Sequence, residues 1–213
     1  GTDAAIARAD TSIAEREAQR DRSVLLAAQG EDANHAGERI VEIRKTVTIL
    51  FADVTGSTEL GERLDPESLR HVMTRYYDAM RSALERHGGS VEKFIGDAVM
   101  AVFGIPKVHE DDALRAIRAA IDMRLALATL NVELERDWGA SIDIRTGVNT
   151  GEVVAGDPSV GHSLVTGDAV NVAARLEQTA DTGAILIGED TYSLVKDVVH
   201  AEPTEPLLLR GKA

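Results

Sequence analysis

Two acidic residues carry the strongest hint of chemistry in this chain. Asp53 closes the β-branched, apolar run Lys45-Thr-Val-Thr-Ile-Leu-Phe-Ala-Asp53, and Asp97 sits in the tight turn Gly96-Asp97 between two short strand-like runs. Taken singly, each reads as a turn former or helix cap. Brought together on neighbouring strands, they could grip two divalent cations about 3.5–4 Å apart, which activates an attacking oxygen and stabilises a leaving one. The two common phosphate loops are missing, since no Gly-x4-Gly-Lys-Ser/Thr occurs and no Gly-x-Gly-x-x-Gly follows a strand. The absence of cysteine excludes a disulfide framework, a Cys-based zinc site and a thiol nucleophile.

The elements that must position these acids can be read from periodicity. After Asp53, Thr55-Gly-Ser-Thr58 forms a loop in which Ser57 or Thr58 could cap the next helix, and Pro66 suits a first helical position. Leu69, Val72, Met73, Tyr76, Tyr77, Met80 and Leu84 then recur at helical spacing until His87-Gly88-Gly89. Ser90–Ile95 and Ala98–Phe103 read as a hairpin around Gly96-Asp97. A long amphipathic helix is expected over 109–137, a second hairpin from 141–149 and 152–155, a helix at 168–179 and a strand at 184–187. The tail from Pro206 to Lys212 reads as one more strand, stopped early. The order β-α-β-β-α-β predicts an α+β, ferredoxin-like core, an antiparallel sheet with its helices on one face. In that sheet the first and third strands are neighbours, so Asp53 and Asp97 meet at one edge.

The chain has 213 residues, 44% apolar but only 3% aromatic, so Val, Ile, Leu and Ala must pack the core. A net charge of −13 and the lack of a basic stripe argue against nucleic acid as a partner. No apolar run reaches membrane-spanning length and no secretory leader opens the chain, so no membrane contact and a cytoplasmic setting are expected of this segment. Residues 1–42 differ in composition, rich in Ala, Arg, Glu and Asp without a sustained heptad; they read as a linker or helical segment ahead of a domain over 43–213.

Four segments, in order, carry a resemblance: Phe51-Ala-Asp53-Val-Thr-Gly-Ser-Thr58, Glu92-Lys-Phe-Ile-Gly-Asp97-Ala-Val-Met-Ala-Val-Phe103, Arg145-Thr-Gly-Val-Asn-Thr-Gly151 and Thr166-Gly-Asp-Ala-Val-Asn171-Val-Ala-Ala-Arg175. They resemble the successive motifs of class III adenylyl and guanylyl cyclase catalytic domains over about 44–212, most of all bacterial, commonly actinobacterial, domains of larger regulatory proteins. The resemblance implies an adenylate cyclase that converts ATP to cyclic AMP and pyrophosphate with two Mg²⁺ or Mn²⁺ ions. Asp53 and Asp97, with Val54, match the metal-binding positions. Thr55, Gly56, Ser57 and Thr58 would cradle phosphate at a helix start. Lys93 matches the purine-selecting lysine, whose ammonium can donate to adenine N1. Asn171 and Arg175, four apart on one helix face, match the transition-state pair that positions the ribose and stabilises charge on phosphorus oxygens. Arg145 and Lys212 match phosphate contacts. The family's sites are shared between protomers, so the resemblance implies a homodimer with two equivalent sites.

The chain departs from the family at Leu164, where an Asp or Thr usually reads the base; relaxed choice between ATP and GTP is the expectation. The chain stops at Ala213, where the family continues into a final strand, so a domain excised from a longer protein is expected. Two other readings stand beside the active cyclase. One is a weakly active or non-catalytic cyclase-homology module for dimerisation or regulation. The other is a different phosphoryl-transfer enzyme on the same unit, such as a diguanylate cyclase, whose hairpin signature differs from Phe94-Ile-Gly-Asp97.

Overall fold

The computed structural model describes residues 43–156 and 165–204. The segment 1–42, Leu164 and the tail with Lys212, on which several expectations fall, lie outside the described residues.

Strand β1 (Ile43–Thr55) is apolar without alternation because both its faces are covered. Leu50, Ala52 and Val54 point into one core cluster, while Val47, Ile49 and Phe51 point into another. Helix α1 (Ser57–Arg63) follows, then α2 (Pro66–Arg86), β2 (Ser90–Ile95), β3 (Ala98–Phe103) and α3 (Asp112–Trp138). The chain continues as β4 (Asp143–Ala155), β5 (Val165–Thr166), α4 (Asp168–Thr179), β6 (Ile185–Ile187) and α5 (Glu189–Val195). The sheet runs β2-β3-β1-β4-β5, with β6 also on β4. Strands β2, β3, β1 and β4 pair antiparallel, the expected ferredoxin-like order. Strand β6 adds to β4 in parallel, an extension of the antiparallel core. No described helix is long and apolar enough to cross a membrane.

Pro66 opens α2 as its sequence position suggested, and Asp65 supplies the cap, accepting from the N–H groups of Glu67 and Ser68 at 3.1 and 3.0 Å. Val72, Tyr76, Met80, Ala83 and Leu84 of α2 are buried with Ala116, Ala119, Ala120, Met123 and Leu127 of α3 over one face of the sheet. Small alanines on α3 let the two helices approach closely, which is how a chain poor in aromatics fills its core.

Three expectations need correction. The second hairpin does not exist: β4 is one continuous strand of 13 residues, pairing with β1 from Ile43↔Ala155 to Thr55↔Asp143. The long partner β1 keeps β4 extended, so Gly151 marks a close packing contact instead of a turn. For the same reason Asp53 does not end its strand; pairing carries β1 two residues further, to Thr55. Finally, the helices occupy both faces. Ala169 and Ala173 of α4 pack with Val47, Ile49, Met100 and Val153 on the face opposite α2 and α3.

Helix α4 lies against β4 through its glycines. A Cβ on Gly147 would sit 2.3 Å from the Glu177 nitrogen and 2.4 Å from the Ala173 oxygen; one on Gly151 would sit 2.7 Å from the Ala169 Cβ. Backbone atoms cannot swing aside as a side-chain tip can. Gly147→Ala is therefore expected to destabilise the domain by at least about 2 kcal/mol, read from urea denaturation; unchanged stability would show that α4 can lift without cost.

Candidate active site

Sheet register decides whether the two acids meet. Ala52 of β1 stands opposite Val99 of β3, and Ile95↔Ala98 closes the turn that holds Asp97. Asp53 and Asp97 thus lie at the same end of adjacent strands, both partly buried. Their charges act on the same neighbours. Burial, then Asp53 and Asp97, push the Tyr76 hydroxyl up, and burial chiefly, with both aspartates adding and Arg145 opposing, pushes the Glu177 carboxyl up.

The turn of Asp97 is held from α2. The Tyr77 hydroxyl donates to the Gly96 carbonyl at 2.6 Å, its ring packs 4.6 Å from Phe94, and the Arg81 guanidinium lies 5.3 Å over that second ring. Asp53 is held from β4. Arg145, opposite it in register, donates through Nη2 to Asp53 Oδ2 at 2.9 Å. The same guanidinium places Nε 2.6 Å from Oε1 of Glu177, an ion pair whose N–H is not aligned on that oxygen, and donates through Nη1 to the Gln178 carbonyl at 3.3 Å. Burial works against the Arg145 cation, yet the hydrogen bond to Asp53 and the charge of Glu177 raise its pKa overall. The phosphate-contact position of the sequence reading is thus occupied by an arginine already engaged with two carboxylates.

The donor set suits hard divalent cations. Two carboxylates from adjacent strands offer oxygen ligands, as Mg²⁺ and Mn²⁺ prefer, and the fully buried Tyr76 hydroxyl beside them has no hydrogen-bond partner in the described structure. No cluster of three or more His, Asp or Glu residues able to hold a metal occurs among the described residues. Asp53 and Asp97 would therefore hold ions only with oxygens from elsewhere, such as phosphate and water. Val54 buries its side chain in the α2/α3 core, leaving only its backbone for the site.

The remaining positions sit apart from this pair. At the start of α1 the capping residue is Gly56 in the left-handed region, with φ 75°, and no side chain caps the helix. The expectation of a Ser57 or Thr58 cap fails because the chain turns at Gly56, whose carbonyl accepts from Leu60 N–H at 3.0 Å, and Ser57 is already helical. Thr55 donates its hydroxyl to the Asp143 carbonyl at 3.3 Å, and Thr58 is exposed. Lys93 is exposed on edge strand β2. On α4, Asn171 is exposed and Arg175 half-buried, while Glu177, two residues on, faces the sheet with its side chain 7% exposed. Neither Lys93, Asn171 nor Arg175 makes a side-chain hydrogen bond or ion pair among the described residues.

Neither Glu177 nor Tyr77 stands out as functional in the sequence. For Glu177 one signal was available: it falls in the same helical arc as Ala169, Ala173, Leu176 and Ala180, so a charge there sits among buried positions. Tyr77 was indistinguishable from a core aromatic.

A family model described as "Adenylate and Guanylate cyclase catalytic domain" matches residues 41–213. An adenylate cyclase of Mycobacterium tuberculosis is 34% identical over 215 residues, covering 95% of this chain and 47% of that protein. The chain thus spans about half the length of that relative. Among solved structures, the adenylyl cyclase CyaB of P. aeruginosa is 36% identical with a TM-score of 0.69, over 75% of this chain and 84% of that one. The guanylyl cyclase Cya2 is 32% identical with a TM-score of 0.75, over 80% of this chain and 88% of that one.

Proposed function

The chain belongs to the adenylate and guanylate cyclase catalytic domains, and from that premise we propose that its domain over 43–213 is an adenylate cyclase, active as a homodimer with shared sites. The 3′-hydroxyl of ATP attacks the α-phosphorus, the new O–P bond closes cyclic AMP, the bond to pyrophosphate breaks, and the hydroxyl proton leaves to solvent. Asp53 and Asp97, with the backbone of Val54, would hold two divalent ions, whose positive charge would supply the activation of the 3′-hydroxyl and the neutralisation of the triphosphate.

Each side chain has its task. Lys93 donates to adenine N1, an acceptor in adenine and a protonated donor in guanine. Asn171 orients the ribose, and Arg175 offers its fork to the charge growing on the α-phosphate oxygens. The backbone at Thr55, Gly56, Ser57 and Thr58, together with Lys212, contacts phosphate, while Arg145 stays on Asp53 and Glu177. The observation that carries this reading is the division of α4 into two sides. Its inner side reaches this protomer's Asp53 through Glu177 and Arg145, while Asn171 and Arg175 lie on the other side with no side-chain partner among the described residues. One chain therefore presents the acids in one place and the transition-state pair in another, which two copies can join head to tail. That both aspartates and the Asn171/Arg175 pair are present in one chain also favours the enzyme over a silent cyclase-homology module.

The direct test incubates the purified chain with Mn²⁺ and ATP or GTP across protein concentration. Cyclic AMP should form, with specific activity rising as dimers form; no product with either nucleotide would overturn the reading. Leu164 cannot hydrogen-bond the base, so ATP should be preferred by no more than about a hundredfold, far short of the 10⁴ or so that a hydrogen-bonding pocket achieves. A preference of that larger size would show that a backbone group reads the base in place of Leu164.

A further inference from the structure

Arg145 poses a difficulty for any cation at Asp53. Its Nη2 lies on the carboxylate oxygen that a metal would also seek, and an uncompensated guanidinium there would repel an arriving dication. What stands behind Arg145 is Glu177, a carboxylate buried on α4 that touches Nε at 2.6 Å and whose Oε1 has no aligned hydrogen bond among the described residues. Such a burial is costly unless the charge is matched, and Arg145 is the cation within reach. The close seating of α4 on Gly147 fixes the Glu177 backbone, so the carboxylate cannot drift away from the arginine.

We propose that Glu177 is a positioning residue for the metal site: by sharing the charge of Arg145 it leaves Asp53 able to bind a divalent cation. This rests on the metal-dependent reading above. Asp53, Arg145 and Glu177 form a chain of alternating charge from β1 through β4 to α4. Without Glu177 the whole positive charge of Arg145 falls on Asp53, and the cation must compete with it. The device also joins the two shared sites. The helix that presents Asn171 and Arg175 outward is the one whose inner side balances the charge at its own protomer's Asp53.

The test is a titration of the full chain with Mn²⁺ alone, following loss of the free-ion electron paramagnetic resonance signal. Glu177→Gln should weaken Mn²⁺ binding about tenfold, as loss of an outer partner commonly does. Removing the arginine as well, in Glu177→Gln with Arg145→Gln, should bring affinity back to within about threefold of the original, because the surplus charge is gone. A purely structural role for Glu177 predicts the opposite, a double variant at least as impaired as the single. Unchanged Mn²⁺ affinity in Glu177→Gln, or a double variant no better than the single one, would overturn the proposal while leaving the metal reading intact. An original chain that takes up no Mn²⁺ would overturn both. Should Glu177→Gln fail to fold, Glu177→Asp keeps the charge and should bind Mn²⁺ nearly as the original does; a folded Asp variant with tenfold weaker binding would count against the role.

Discussion

Replacing Asp97 by Asn is expected to lower cyclic AMP formation by at least about a thousandfold. The substitution is nearly isosteric and keeps the turn that Tyr77 holds through the Gly96 carbonyl, so the hairpin should survive. On the proposed mechanism it removes half of the carboxylate charge that would meet the cations. Metal-ion stabilisation of the reacting oxygens is worth several kcal/mol, and each 1.36 kcal/mol is a factor of about ten. Asp97 is a cleaner target than Asp53, whose loss would also strand Arg145 against Glu177. The measurement is product formation with Mn²⁺ beside a denaturation curve and a Mn²⁺ titration. A folded Asp97→Asn protein with more than about a tenth of the original rate would mean that this carboxylate is no metal ligand.

The second large effect is a recovery. Asp97→Ala and Arg175→Ala should each be inactive, since on the proposed mechanism one would lack a metal ligand and the other the cation that meets the growing phosphate charge. Mixed in equal amounts with free exchange, half of the dimers pair unlike chains, and each of those carries one site with both lesions and one with none. Activity should return to about a quarter of the original, one half of the dimers times one half of their sites. The geometry on α4 makes the result informative. If Arg175 served its own protomer's Asp53, no mixing could help, because every chain would keep its own defect. Absence of recovery under conditions where the chains demonstrably exchange would remove the shared site from the mechanism.

The amino-acid sequence by itself determined the parts. Periodicity placed α2, the β2–β3 hairpin and α4 nearly residue for residue, because a buried stripe must repeat with the backbone that presents it. Motif order identified the family and singled out Asp53, Asp97, Lys93, Asn171 and Arg175, and the strand order that makes the two aspartates neighbours followed from the alternation of elements. Tertiary structure decided what those parts touch. Gly151 fell at the expected turn of a second hairpin, but in the fold it and Gly147 admit a helix, since only a neighbouring backbone reveals whether a missing Cβ serves bending or closeness. The placement of α4 on the second face followed from the same contact. Arg145, read as a phosphate contact, is engaged with Asp53 and Glu177. Residues 92 and 32 positions apart in the chain meet there because strand register and helix seating bring them together, and local periodicity carries no information about contacts at that separation.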